Sequence, residues 1–214
     1  NNKLGIDVLA NDLYLTIDDT SEILFFNKAI LEGHEIKFTI NPEKNFDYLF
    51  EYLANNNLEI NISILQSSKV NTDEIHASID GHVIVLKEKK IVVGIGCRRG
   101  KECEWIYEGF SKSIADLNIH KSRVNMLASA EIKKDEKGIL DLSDKLNIPV
   151  HFVELDRLKL FESPDVQKSE FVKSKFGIYG VCEPSALIMA GFDSKLIYKK
   201  TSYDGVTIAI AISS

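Results

Sequence analysis

The chain has 214 residues, 44% of them hydrophobic and 27% charged, and a formal net charge of −6 at pH 7. This composition is typical of a soluble globular protein, and it excludes a membrane-spanning segment because no apolar run reaches the length of a bilayer. It also excludes a basic surface for nucleic acid, since no stripe of Lys and Arg interleaved with aromatic residues is present. The three cysteines, in a chain without a cationic and apolar leader, predict reduced thiols and a cytoplasmic protein.

Charge is distributed unevenly along the chain. Residues 1–90 hold 8 lysines against 15 acidic residues, a net charge of −7. Residues 91–214 hold 18 basic residues, among them all four arginines, against 17 acidic ones, a net charge of +1. An anionic ligand would therefore be held by a local cationic patch in the second part. The charged run 88–90 marks the boundary between two predicted domains, 1–90 and 91–214.

The first 90 residues have the pattern of a small α/β domain. Apolar residues at helical and at alternating spacing predict two helices and three strands. The polar residues 66–81 are expected to form a loop, and the chain starts without a capped element, as though a folded segment preceded it. The predicted elements are a helix that starts near Asp19 and stops at Gly33, a strand at 35–40, a helix at 46–53, and strands at 58–65 and 82–87.

The second part alternates strands and helices, which predicts a three-layer α/β/α domain with helices on both faces of its sheet. Asp204 and Gly205 join the last two strands as a tight turn, so that pair is expected to be an antiparallel hairpin and the sheet to be mixed. The predicted elements are strands at 91–95, 123–128, 150–153, 195–200 and 206–212, helices at 102–117, 137–147 and 184–191, and a helical or loop segment at 154–174.

The turn that follows the strand at 91–95 is rich in glycine and in cations. A helix N-terminus presents unpaired N–H groups, and Arg98, Arg99 and Lys101 flank this one, which predicts an anion site that includes the backbone of Gly96. The glycine spacing matches neither the dinucleotide fingerprint nor the P-loop, so nucleotide binding is not indicated. The alternative is a glycine-rich turn whose arginines are merely solvated.

A second apolar-to-helix turn lies at 177–186. Pro184 suits the first turn of a helix and keeps Glu183 extended at its mouth, where the carboxylate could act on a substrate beside the hydroxyl of Ser185. The alternative is that Glu183 caps the helix without chemistry. Because ligands of α/β folds collect at the carboxyl ends of strands, both turns are expected to open on one pocket.

Three further side chains, those of Ser129, Lys133 and Cys97, are expected at the same edge of the sheet. Ser129 and Lys133 follow the strand at 123–128, although a lysine there could equally be solvated. The helix dipole and the neighbouring arginines would lower the pKa of Cys97, which makes it a candidate nucleophile, or else a small residue fitted into a tight turn. The histidines and cysteines lack the spacing of metal ligands, so no protein-bound metal is expected.

Four motifs that follow one another along the chain, given at the end of this paragraph, resemble the C-terminal domain of the cobalamin-biosynthesis family CbiG. The stand-alone CobE proteins share this domain. The resemblance covers 91–214, and the first 90 residues resemble the central domain of CbiG. Members of the CbiG type carry a further N-terminal domain, which is not in this chain. The motifs are 94–100 (Gly-Ile-Gly-Cys-Arg-Arg-Gly), 127–129 (Leu-Ala-Ser) with Lys133 and 136–140 (Glu-Lys-Gly-Ile-Leu), 181–187 (Val-Cys-Glu-Pro-Ser-Ala-Leu), and Lys200 ahead of 206–211 (Val-Thr-Ile-Ala-Ile-Ala).

The resemblance implies a cobalt-precorrin-5A hydrolase, which opens the δ-lactone on ring A of the substrate, after which acetaldehyde leaves. It implies a tetrapyrrole substrate with acetate and propionate arms, no cofactor because the cobalt arrives in the substrate, and contact with other corrin-pathway enzymes. Under this hypothesis Glu183 activates the water, Arg98 and Arg99 bind carboxylate arms, and backbone N–H groups stabilise the oxyanion. The alternative is a non-catalytic tetrapyrrole carrier of the CobE type.

Overall fold

Two units, Asn1–Lys89 and Lys90–Ser214, make up the computed structural model, and each unit has its own five-stranded sheet. The structure describes residues 5–56 and 61–214. No helix among these residues has both the length and the apolar character needed to cross a membrane.

The sheet of the first unit has the strand order β1-β5-β4-β2-β3. Only β2 and β3 are parallel, and the other neighbours are antiparallel, so the sheet is mixed. Buried apolar residues from both helices and strands form one core, in which Phe26, Phe38 and Leu49 are fully buried. The elements are α1 (Ile6–Asp12), β1 (Leu15–Ile17), α2 (Ile23–Glu32), β2 (Ile36–Ile40), α3 (Asp47–Asn55), β3 (Ile62–Gln66), β4 (Glu74–Ile79) and β5 (His82–Glu88).

The first unit contains three elements that the sequence analysis missed. The expected loop over 66–81 is wrong in its second half, because β4 pairs with both β2 and β5 there. Asp80 and Gly81 form the two-residue turn from β4 to β5, with φ angles of 50° and 87°. Helix α1 and the short strand β1 were also not predicted. Part of the predicted strand at 58–65 lies outside the described residues.

The sheet of the second unit has the strand order β8-β7-β6-β10-β9. Strands β6, β7 and β8 are parallel, whereas β10 runs antiparallel to both β6 and β9, as the predicted hairpin requires. The elements are β6 (Ile91–Cys97), α4 (Cys103–Asp116), β7 (Met126–Ala130), α5 (Lys137–Leu146), β8 (Val150–Val153), α6 (Leu155–Leu160), α7 (Glu170–Phe176), α8 (Cys182–Ala190), β9 (Lys195–Tyr203) and β10 (Val206–Ile212).

Helices cover both faces of this second sheet. On one face Val92 of β6 packs with Ala186 of α8, and on the other Ile208 of β10 lies against Gly109 of α4. Val92 and Ile208 point to opposite faces because Ile208 pairs with Ile95, an odd number of residues from Val92. The predicted three-layer α/β/α unit with a mixed sheet is therefore confirmed.

Strand β7 lies further along the chain than the predicted strand at 123–128. A 3₁₀ turn occupies Lys121–Arg123, where the backbone N–H of Ser122 donates to the ring of His120, so pairing begins only at Met126. The strand consequently extends through Ala130 and includes Ser129.

Candidate functional site

A cleft of about 380 Å³ opens at the carboxyl end of β6 in the second unit. Its walls are the turn after β6, the turn before α8, and the hairpin of β9 and β10. This is the edge of an α/β sheet at which ligands commonly bind. The residues that the chemistry below depends on are Gly96, Cys97, Arg98, Lys133, Lys200 and Thr207.

The glycines of β6 allow the turn before α8 to come close to the strand. A Cβ atom on Gly94 would lie 1.9 Å from the carbonyl oxygen of Cys182, and one on Gly96 would lie 2.5 Å from Oγ1 of Thr207. A side chain at position 94 would overlap the backbone of Cys182, whereas one at position 96 would require the Thr207 hydroxyl to move. The same packing places Val181 beside Gly96, so the two turns singled out in the sequence border one cleft.

Three cations line this cleft. Nζ of Lys133 donates to Oε1 of Glu136 at 3.1 Å, and both side chains are largely buried. Arg98 is exposed, and its backbone N–H donates to the carbonyl of Gly205 at 2.9 Å. Lys200 is half-buried on β9. The cleft therefore combines a guanidinium and two ammonium groups, which suits a ligand with several carboxylates.

Arg99 and Lys101, which the sequence analysis grouped with Arg98, do not line the cleft. Nη1 of Arg99 donates to Oδ2 of Asp135 at 2.7 Å, and this pair is exposed. Nζ of Lys101 donates to Oδ2 of Asp204 at 3.4 Å and lies over the ring of Trp105. Neither of them lines the cleft, and their part in substrate binding stays a prediction.

Glu136 is a residue of this site whose importance the sequence analysis missed. Its side chain is 3% exposed, and its Oε2 accepts the backbone N–H of Gly100 at 2.9 Å while Oε1 accepts Lys133. One carboxylate thus fixes the glycine-rich turn and a cationic side chain of the cleft together. The glycine at position 138 could have indicated this contact. The start of α5 packs closely against the same turn there, and a Cβ on Gly138 would lie 2.1 Å from the carbonyl oxygen of Lys101.

The two serines of the predicted site are fully buried and do not line the cleft. Ser129 lies within β7, and its hydroxyl donates to the carbonyl oxygen of Ile95 at 2.7 Å, which links β7 to β6. The hydroxyl of Ser185 has no hydrogen-bond partner among residues 5–56 and 61–214. Their predicted role in substrate binding is not tested by this geometry.

Cys97 lines the cleft, but its pKa differs from the prediction. Burial raises the pKa of this thiol above the usual cysteine value, and the nearby Lys133, Arg99 and Lys101 lower it by less. The expected lowering is wrong, because α4 begins only at Cys103 and the thiol lies in a desolvated position. Its role as a nucleophile stays a prediction.

Glu183 stands in the first turn of α8 with its side chain directed inward, and the expected extended conformation is wrong because the helix already begins at Cys182. It is 1% exposed, and both of its carboxylate oxygens accept backbone N–H groups. Oε2 accepts from Gln167 at 2.7 Å and Oε1 accepts from Lys200 at 2.9 Å. Glu183 does not line the cleft, and its role as a general base stays a prediction.

The described ranges hold no group of three or more His, Cys, Asp and Glu side chains arranged to hold a metal ion.

Residues 91–211 match a sequence model of the family described as cobalamin synthesis G C-terminus. The chain belongs to this family. The matched range contains every residue that lines the cleft.

Named relatives agree with this family. The chain is 34% identical, over 99% of its length, to a Methanocaldococcus jannaschii protein named "probable cobalt-precorrin-5A hydrolase", and it spans 62% of that protein. It is 33% identical to the cobalt-precorrin-5A hydrolase of Priestia megaterium, over 60% of this chain and 34% of the relative. The chain thus covers less than two thirds of these relatives.

Two solved structures resemble the chain. A homologue of cobalamin biosynthesis protein G from Sulfolobus solfataricus is 26% identical and gives a TM-score of 0.56, over all of this chain and 62% of that one. CobE, a protein from the cobalamin (vitamin B12) biosynthetic pathway, is 28% identical and gives a TM-score of 0.55, over 59% of this chain and 92% of that one.

Proposed function

We propose that this chain acts on cobalt-precorrin-5A, opening the lactone on ring A so that acetaldehyde can leave. The observation that carries the proposal is the cleft lined by Arg98, Lys133 and Lys200 within the range that the family model matches. The names of the relatives supply the identity of the substrate. The cobalt is part of that substrate, and the proposal gives the protein no cofactor of its own.

The chemistry assigned to the cleft is recognition of the carboxylate arms of the substrate. Arg98 can form two parallel hydrogen bonds with one carboxylate, whereas Lys133 and Lys200 act as point charges. Hydrolysis adds water across the acyl C–O bond of the lactone and leaves a carboxylate and an alcohol. The new carboxylate is a further anion, which a cationic cleft stabilises as it forms.

Binding of a stable analogue tests the cleft. Cobalt uroporphyrin carries acetate and propionate arms, and we expect Arg98→Ala, Lys133→Ala and Lys200→Ala each to weaken its affinity about tenfold, since each removes a charge-assisted hydrogen bond. The affinity of these variants should also depend less on salt. Titration by absorbance at several salt concentrations measures both quantities.

Arg99→Ala and Lys101→Ala are the matched controls for this titration, because both cations lie near the turn but outside the cleft. We expect their affinity to change by less than about twofold. Losses confined to Arg98→Ala, Arg99→Ala and Lys101→Ala would contradict the assignment of the cleft and would favour the clamp of these three residues suggested by the sequence.

Release of acetaldehyde tests the reaction itself. Incubation of the chain with cobalt-precorrin-5A should yield acetaldehyde, measured by reduction with alcohol dehydrogenase and NADH, and Lys200→Ala should slow the release. The carrier function remains the second candidate because a structure of CobE matches this chain over 92% of its own length. Tight binding of cobalt-precorrin-5A without any acetaldehyde would favour the carrier.

A further inference from the structure

The backbone of β9 is irregular at the point where it borders the cleft. Tyr198 pairs with Ile210 and Thr201 with Ile208, so two residues, Lys199 and Lys200, face the single residue Ala209. Such a bulge re-aims side chains and takes backbone groups out of the ladder. Here the N–H of Lys200 donates to Oε1 of Glu183, and the side chain of Lys200 lines the cleft.

The other oxygen of Glu183 holds a second wall of the cleft. Oε2 accepts the N–H of Gln167, in the segment between α6 and α7, and the N–H of Ser169 in the same segment donates to the carbonyl of Tyr179 at 2.8 Å. Helix α7 follows directly, and its Val172 lines the cleft. The carboxylate of Glu183 therefore joins β9, which carries Lys200, to the segment that leads into α7, which carries Val172.

We propose that Glu183 is a positioning residue, which fixes Lys200 and, through the segment between α6 and α7, Val172 at the binding cleft, and which takes no proton from water. Its two carboxyl oxygens accept two backbone N–H groups, and the residue is 1% exposed. Glu183 is absent from the lining of the cleft, so water in the cleft does not reach its carboxylate. The inference rests on the proposed function, because it takes the cleft as the substrate site.

The experiment is a pair of double-mutant cycles on the full 214-residue chain, with cobalt uroporphyrin as the probe. Glu183→Gln should weaken affinity about tenfold, because an amide accepts one of the two N–H groups but presents its own donors to the other. Combined with Lys200→Ala, the total loss should be clearly smaller than the product of the two single losses, since one of the two positioned groups is already gone. Combined with Arg98→Ala, the two losses should multiply.

Each alternative role gives a different pattern. A merely structural Glu183 would multiply its loss with both partners, and either that pattern or an unchanged affinity would overturn the proposal. A general base would leave affinity unchanged and lower kcat for lactone hydrolysis with cobalt-precorrin-5A. Glu131→Gln is the matched control, because Glu131 also accepts a backbone N–H, from Leu155 at 3.0 Å, and does not line the cleft. Glu131→Gln should bind cobalt uroporphyrin with the same affinity as the unmodified chain.

Hydrogen exchange on the unmodified chain keeps the proposal testable if Glu183→Gln fails to fold. The amides of Gln167 and Lys200 should exchange at least about 100-fold more slowly than in an open chain, and probe binding should slow both together. Exchange at the open-chain rate would overturn the proposal. If the unmodified chain fails to bind the probe, the proposed function is contradicted, while the exchange rates still test the two hydrogen bonds of Glu183.

Discussion

The three thiols of the chain show how strongly position governs the chemistry of a single residue. Burial raises the pKa of Cys97, Cys103 and Cys182 alike, and the increase is largest for Cys182, whose pKa reaches about 11. Cys182 begins α8 and is 1% exposed, so its thiolate would have almost no water around it. All three are therefore neutral thiols near neutral pH.

The pKa of Cys182 predicts how stability depends on alkaline pH. The unfolded thiol ionises near its ordinary value of 9.0, whereas the folded one keeps its proton up to about 11. The stabilisation is complete below pH 9, and the free energy of unfolding should fall by up to about 1.4 kcal/mol per pH unit above it, until the folded thiol also ionises. Urea unfolding followed through the fluorescence of Trp105, the single tryptophan, measures this slope.

Cys182→Ala supplies the control for that slope. It leaves the other two thiols in place, so its free energy of unfolding should fall less steeply over the same pH window than that of the unmodified chain. Parallel slopes for the two proteins would show that Cys182 is solvated, and would contradict the burial described for the start of α8.

At the scale of single residues, the sequence predicted that cations would gather at one edge of the sheet. It did not predict which of these cations would line the cleft. Arg98 and Lys133 were expected at one edge of the sheet because each follows a strand. Arg99 and Lys101 were expected beside them, but their partners, Asp135 and Asp204, are 36 and 103 residues away in the chain. Local spacing cannot reveal such long-range ion pairs.

At the scale of elements, the hairpins β4–β5 and β9–β10 each contain a two-residue Asp-Gly turn with positive φ angles. The turn of the second hairpin borders the cleft. Gly81 and Gly205 have φ angles of 87° and 82°, in the left-handed region that disfavours other residues. A Cβ on Gly81 would meet nothing within 4 Å, whereas one on Gly205 would lie 3.1 Å from Cδ of Arg98. The two glycines thus form a matched pair for experiment.

Gly81→Ala and Gly205→Ala should each lower the free energy of unfolding of their own unit by about 1 kcal/mol, through the same backbone strain. Only Gly205→Ala should also weaken the binding of cobalt uroporphyrin, because its methyl group displaces Arg98. Urea unfolding and absorbance titration measure the two effects. Equal affinities for the two variants would show that the position of Arg98 does not matter for binding.

The elements also show why one strand escaped prediction. Strand β4 was expected to be loop because Glu74, His76 and Ser78 make it polar, yet Ile75, Ala77 and Ile79 alternate with them and are buried. The pair Asp80 and Gly81 that follows is a strong hairpin signal and would have identified it. By contrast, the strands of the second unit are long apolar runs, which composition alone identifies.

At the scale of the whole molecule, the division into Asn1–Lys89 and Lys90–Ser214 separates the cleft from the first unit. Every residue that lines the cleft belongs to the second unit, which has its own sheet and its own helices on both faces. Units of this size commonly fold alone. The function of the first unit is therefore separable by experiment from binding at the cleft.

A fragment of residues 90–214 should fold and should bind cobalt uroporphyrin with an affinity within about twofold of that of the full chain. Cooperative urea unfolding of the fragment, followed through Trp105, is the control for folding. A folded fragment whose affinity is lower by about tenfold or more would show that residues 1–89 contribute to binding.

Strand β9 stands last in the order β8-β7-β6-β10-β9, so its outer side is an edge of the sheet. Long, flat edges invite strands of other molecules to add to them, and natural proteins interrupt them with bulges and lysines. The bulge at Lys199 and Lys200 supplies both interruptions within nine residues. The irregularity that brings Lys200 to the cleft thus also interrupts this edge of the sheet.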